Sequence, residues 1–263
     1  MFSVTESIIG LALALLLIAA VPALAITNNF VEDNEHPVVG LAAFYDANGE
    51  FLWRCTGSLI SPTVFLTAGH CADTVGGAVT ARVYFQQNAG ANYDPTAEVD
   101  PVSGYPEYCA EGTLGVTCAT SDEIYNIGYD GQLPAAGTLD SLATARGTKD
   151  TVFTVSGYGL TYKPNAIAPM PPTCYRERLM ASSRLVNLNS ALTTGFNLQT
   201  QGNGSGLGGT CNGDSGGPVF LGGFDSNLIV GVTSFGLNSL CRGTDFAYRI
   251  DTPEVLAWIQ SYL

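Results

Sequence analysis

Short apolar runs bounded by turn residues dominate this chain. Val38 to Tyr45 and Phe51 to Ile60 read as two strands across the turn Asp46-Ala-Asn-Gly49. Val64 to Ala68 is a third strand, and Val79 to Gln86 alternates well enough for a fourth. Residues 87 to 150 are rich in Gly, Pro, Asn and Asp and show little apolar periodicity, with Leu133-Pro-Ala-Ala-Gly137 as a crossover. Thr151 to Tyr158 resumes with β-branched alternation, followed by a proline-rich loop over Asn165 to Pro172. A shorter segment, Arg176 to Leu179, precedes strands at Arg184 to Leu188 and Leu192 to Gln199. Leu228 to Phe235 and Phe246 to Ile250 are the last two strands. Asp251-Thr-Pro-Glu254 then opens a helix, with Thr252 as cap, Pro253 at the first position, and Val255, Leu256, Ile259 and Leu263 facing inward.

The pattern differs at the amino terminus. Ile8 to Ala20 is an apolar run of 13 residues, short for a membrane span, and Ala23-Leu24-Ala25 has the small-x-small form of a secretory cleavage site. Residues 1–25 are therefore expected to be a signal peptide, and 26–263 one domain in the extracellular space. With 31 glycines and 46% hydrophobic residues, 263 positions suffice for a sizeable all-β core. A net charge of −13 argues against nucleic acid and anionic membrane surfaces as partners. Seven cysteines fit an oxidising compartment.

Chemistry concentrates at Gly213-Asp214-Ser215-Gly216-Gly217-Pro218. Glycine loses the most backbone freedom on folding, so several around one hydroxyl suggest that the backbone must approach a ligand closely. Serine needs a base to become a nucleophile. The chain has two histidines. His36 stands in the charged segment Glu32-Asp33-Asn34-Glu35 and reads as a solvated surface residue. His70 follows the strand ending at Ala68 and precedes Cys71, the place for a catalytic base. Gly213-Asp-Ser-Gly-Gly217 also satisfies the nucleophile elbow of α/β-hydrolases, but that fold requires a histidine after the serine, and none follows Ser215. Two distant histidines and the lack of H-E-x-x-H leave no zinc site, and no cofactor is implied.

Thr67-Ala-Gly-His-Cys71 followed far downstream by Gly213-Asp-Ser-Gly-Gly-Pro218 resembles the trypsin/chymotrypsin family of serine endopeptidases. Cys55-Thr-Gly-Ser-Leu-Ile60, Val155-Ser-Gly-Tyr-Gly159, Val232-Thr-Ser-Phe-Gly236 and Trp258-Ile259 extend the likeness over residues 26 to 263. The resemblance implies two antiparallel six-stranded Greek-key barrels, over about 38–130 and 151–250, with a C-terminal helix at 252–262. It implies a triad of His70, Ser215 and a carboxylate between them, with Gly213 and Ser215 N–H groups as oxyanion donors. It pairs Cys55 with Cys71 and Cys211 with Cys241. Cys109 and Cys118 are close enough in the chain to pair with each other, which leaves Cys174 over.

Asp94, Asp100, Asp122, Asp130 and Asp140 are the candidates for the triad carboxylate. Asp122 fits the family's separations, 52 residues after His70 and 93 before Ser215. In the family an apolar strand follows this aspartate, whereas Glu123-Ile-Tyr-Asn-Ile-Gly128 is short and polar, so the first barrel reads as lacking a strand. By the same likeness Ile26, freed by cleavage after Ala25, pairs its ammonium with Asp214. The pocket for the residue before the cut is floored by Gly209, with Ser234 and Gly236 along the substrate and Asp245 near the wall. A broad or basic preference follows. The expected partners are protein or peptide substrates and protein protease inhibitors, and the chain is expected to act as a monomer. The competing reading is a non-catalytic relative that keeps the barrels as a binding protein.

Overall fold

The computed structural model describes residues 26–72, 77–87, 108–109, 131–143, 151–160, 177–188, 190, 197–202, 204, 206–237 and 241–263. The expected signal peptide, Asp94, Asp100, Asp122, Asp130, Cys118, Cys174 and the side chain of Cys109 lie outside the described residues. Twelve strands and one helix are described: β1 (Val31–Glu32), β2 (Val39–Tyr45), β3 (Phe51–Ser61), β4 (Val64–Thr67), β5 (Thr80–Tyr84), β6 (Tyr108–Cys109), β7 (Val152–Gly157), β8 (Leu179–Asn187), β9 (Asn197–Gln201), β10 (Pro218–Leu221), β11 (Ile229–Gly236), β12 (Thr244–Arg249) and α1 (Pro253–Gln260).

The strands form two antiparallel systems. In the second half the order is β8-β7-β10-β11-β12-β9, and β9 pairs back onto β8, so six strands close into a barrel. Closure leaves no free edge among these six. Its interior is filled by Phe153, Val155, Leu179, Leu198 and Val230, all at most 1% exposed. The first half is a five-stranded sheet ordered β4-β3-β2-β5-β6. β2 lies at its centre and is buried at all seven positions, as expected of a strand covered on both faces. Among the described residues β4 pairs with β3 alone. Beside β4, a cavity of about 540 Å³ opens between the sheet and α1, lined by Phe65, Leu66, Ala81, Trp258 and Ile259 among others. Ile259 and Leu256 of α1 are buried.

Several local expectations need correction. β8 is one nine-residue strand where the sequence suggested two pieces, because Ser183, a polar residue inside it, is fully buried. β1 and β10 carried no strand signal: β1 has two residues and β10 starts at a proline after two glycines. The Thr252 side chain makes no capping hydrogen bond, although Pro253 does open α1, and Leu263 is 56% exposed rather than inward-facing.

His36 is the largest departure. It is fully buried, not solvated, and stacks on Phe220 with ring centroids 4.2 Å apart. Its Nδ1 lies 2.9 Å from Asp33 Oδ1 and its Nε2 lies 3.1 Å from the Ser226 carbonyl. Ser156 donates to the other oxygen of Asp33, and Arg178 donates through Nε to the Asp33 carbonyl. Burial alone would raise the pKa of Asp33. The His36 hydrogen bond and charge, with Ser156 and Arg178, outweigh it and hold the carboxyl below its ordinary value. Arg178 also donates to the carbonyls of Val39 and Phe85, at 3.1 and 2.8 Å. A buried cation thus fastens the two halves together.

Candidate active site

The loop between β9 and β10 holds Ser215. Two of its glycines are required by the backbone: Gly213 has φ +100° and Gly216 has φ +85°, a region that favours glycine. A side chain on Gly216 would also run into Thr67 Oγ1 and the Thr56 carbonyl. Most N–H groups of the loop are used. Asp214 N donates to Cys211 O, Gly216 N to Thr233 O and Gly217 N to Asp214 O, at 2.8 to 3.0 Å. The N–H groups of Gly213 and Ser215 donate to no described residue. They are the two groups in this run left to meet a ligand.

The first half grips this loop from outside. Thr56 N donates to the Ser215 carbonyl at 2.8 Å, and Thr56 Oγ1 donates to the Gly213 carbonyl at 2.9 Å. Sequence reasoning did not find Thr56. Its only signal was its place beside Cys55 in a quoted motif.

His70 sits in a 3₁₀ turn, Gly69–Cys71, one residue past the end of β4 and Ala68. The expected Cys55–Cys71 disulfide is formed and pins this turn to β3. A His70 ring nitrogen and both sulfurs lie within 4.8 Å of one another. The Cys71 sulfur in turn is 3.7 Å from the Ser215 carbonyl oxygen. The histidine turn and the serine loop are therefore neighbours, and Ser234 lines both the 540 Å³ cavity beside His70 and a second cavity of about 390 Å³ beside Ser215. Neither the His70 ring nor the Ser215 hydroxyl makes a hydrogen bond to a described residue. Nothing described orients the ring; Asp122, the residue expected to do so, is not among the described residues. His70 is exposed, yet partial desolvation of the ring lowers its pKa, which favours the neutral imidazole that a base requires. Asp140 is engaged elsewhere, 2.8 Å from Arg249.

Asp214 is fully buried. Its oxygens accept from Gly159 N at 2.7 Å and Cys211 N at 2.8 Å. Burial pushes its pKa up to about 7 against these donors, and the Asp245 charge adds to the rise. Among the described residues no cation is paired with it. Ile26 is fully buried in the core of the second barrel, with φ +64°. The next residue, Thr27, exchanges two backbone hydrogen bonds with Gly209, each 2.9 Å. The amino-terminal segment is thus tied to the residue expected to floor the pocket.

The 390 Å³ cavity is bordered by Thr210, Asn212, Ser215, Ser234, Phe235 and Gly236. The expected Cys211–Cys241 disulfide closes one side. Asp245, on β12, lies directly behind: it is in register with Gly236, and its Oδ2 accepts from Thr210 N at 2.8 Å. A Cβ added to Gly209 would stand 2.5 Å from that oxygen. The structure therefore brings Gly209, Gly236 and Asp245 together.

Known proteins share the family and the fold of this chain. A family model described as Trypsin matches residues 31–259. Brachyurin from Leptuca pugilator is 29% identical over 231 residues, covering 80% of this chain and 88% of that protein. Chymotrypsin-like elastase family member 3B from Macaca mulatta is 28% identical, covering 77% and 80%. Among solved structures, HL collagenase superposes with a TM-score of 0.56 at 19% identity, covering 92% of this chain and 97% of that one. Protease Anisep from Arthrobacter nicotinovorans gives a TM-score of 0.52 at 17% identity, covering 84% and 93%.

Proposed function

Since this chain belongs to the trypsin family of serine proteases, we propose that it is an active, secreted serine endopeptidase working through a covalent acyl-enzyme. Ser215 attacks the scissile carbonyl while His70 takes its proton and later returns it to the leaving amine. Asp122 orients the imidazole and stabilises its charged form. The carbonyl oxygen becomes an oxyanion within reach of Gly213 N–H and Ser215 N–H. One observation supports this reading above the others: these two donors are unused in a loop whose neighbouring N–H groups are nearly all spent. Loss of one such donor costs a factor of about 10²–10³ in other serine proteases.

Removal of residues 1–25 on secretion would free the Ile26 ammonium to pair with Asp214, supplying the cation that this buried carboxyl lacks. Gly209, Ser234, Gly236 and Asp245 form the pocket for the side chain before the cut, with a broad or basic preference. Substrates are proteins or peptides, protein protease inhibitors occupy the same cleft, and the enzyme acts as a monomer.

The test is covalent labelling with a fluorophosphonate. Secreted protein is expected to label stoichiometrically at Ser215, with labelling abolished in Ser215→Ala and reduced at least about 10³-fold in rate in His70→Ala. A protein that is folded by circular dichroism and hydrolyses no peptide, with Ser215 unlabelled, would refute the proposal.

A further inference from the structure

Asp245 is walled in by backbone. Its Oδ2 is taken by Thr210 N–H, and its Oδ1 points toward Gly236, 3.5 Å from where a side chain there would begin. The residue is 6% exposed. Both neighbours that could have covered it with a side chain, Gly209 and Gly236, are glycines, and Gly236 borders the cavity that Ser215 also borders.

The charged groups around it are few. β9 (Asn-Leu-Gln-Thr-Gln) and β11 (Ile-Val-Gly-Val-Thr-Ser-Phe-Gly), the strands on either side, carry none. From the serine loop the buried Asp214 faces it with the same sign of charge. Further along β12, Tyr248 is 43% exposed and Arg249 is held by Asp140 and Asp251 at 2.8 and 2.9 Å. Arg184 of β8 donates to Gln201 at 3.2 Å, and Arg242, three residues upstream, is exposed. Asp245 therefore lies behind Thr210 and Gly236 of the pocket wall, with a like charge beside it and no paired cation among the described residues. Burial pushes its pKa up to about 7 against the Thr210 donors.

We propose that Asp245 is a pH-gated selector: ionised on the alkaline side of neutrality it draws arginine or lysine into the pocket, and protonated on the acid side it admits uncharged side chains instead. This rests on the reading of the cleft as a protease site and adds to it a change of substrate class with pH. The sign follows from linkage. A carboxyl with a raised pKa is neutral below that pKa, so the charge-assisted pair with a substrate cation is present above it and lost as pH falls through it. Cation binding favours the ionised form, so kcat/KM, which reports the free enzyme, carries the unliganded titration.

The test uses two peptides differing only in the residue before the cut, arginine or its uncharged isostere citrulline. Their kcat/KM ratio is measured with the secreted enzyme from about pH 5.5 to about pH 8.5. His70 acts on both peptides alike and cancels in the ratio, whereas any contribution from Asp214, which faces Asp245, would survive in Asp245→Asn. The Arg/citrulline ratio is expected to be flat above about pH 7.5 and to fall by roughly tenfold or more by about pH 5.5. In Asp245→Asn the ratio is expected to be low and constant. A constant ratio in the native enzyme, or a step that survives in Asp245→Asn, overturns the selector. Failure to cleave either peptide, with Ser215 unlabelled by fluorophosphonate, overturns the protease reading and the selector with it. Cleavage with a flat ratio removes the selector alone.

Discussion

The two halves of the molecule hold their candidate catalytic groups by different means. The serine loop rises from a closed six-stranded barrel with a filled interior. The histidine turn follows β4, a strand paired on one side among the described residues and bordering a 540 Å³ cavity. Ser215 is positioned by closure, whereas His70 relies on a disulfide, Cys55–Cys71, and on hydrogen bonds from β3 into the other half. Among the described residues β4 has one free side, and covalent and polar ties hold the turn that follows it.

Large-to-small substitutions should expose that contrast most strongly. Phe153→Ala in the closed barrel removes a fully buried ring and is expected to cost about 3–5 kcal/mol. Phe65→Ala, which only enlarges an existing cavity, is expected to cost less, about 2–3 kcal/mol. Denaturant midpoints of the two variants decide it, and equal losses would show that the cavity does not soften the first half.

The seam comes next. Arg178→Met leaves Asp33 without its guanidinium neighbour and the Val39 and Phe85 carbonyls without a donor. A loss of about 3 kcal/mol is expected, with both halves still unfolding together in a single calorimetric transition. Two separated transitions would mean that the coupling between the halves rests on this cation alone.

The smallest effect should differ in sign between the halves. Ala81→Val points into the cavity and is expected to add about 0.5–1 kcal/mol. Ala247→Val enters a core where the neighbouring Gly231 has no spare room, and is expected to cost about 1–3 kcal/mol. Thermal shifts in the same direction for both would erase the distinction.

What could be read from the residue order follows the same division. Strands with strong alternation, such as β2, β3, β7 and β11, were legible because one face or both had to be apolar. β10 was not, since a short strand after two glycines and a proline looks like a turn. His36 misled because exposure was inferred from its charged neighbours. One of them, Asp33, is the partner that allows it to be buried. The Ser215 loop was legible, being marked by several glycines, two of which the backbone demands. The role of Thr56 was not, because a hydroxyl reaching across 157 positions leaves no local trace.

The bonds from Thr56 to the carbonyls of Gly213 and Ser215 act like a rivet through two plates. Were the plates to shear, the serine would be dragged by its own main chain in step with β3, the strand to which the histidine turn is riveted by sulfur. Relative displacement of the histidine turn and the serine loop is thereby opposed at its source.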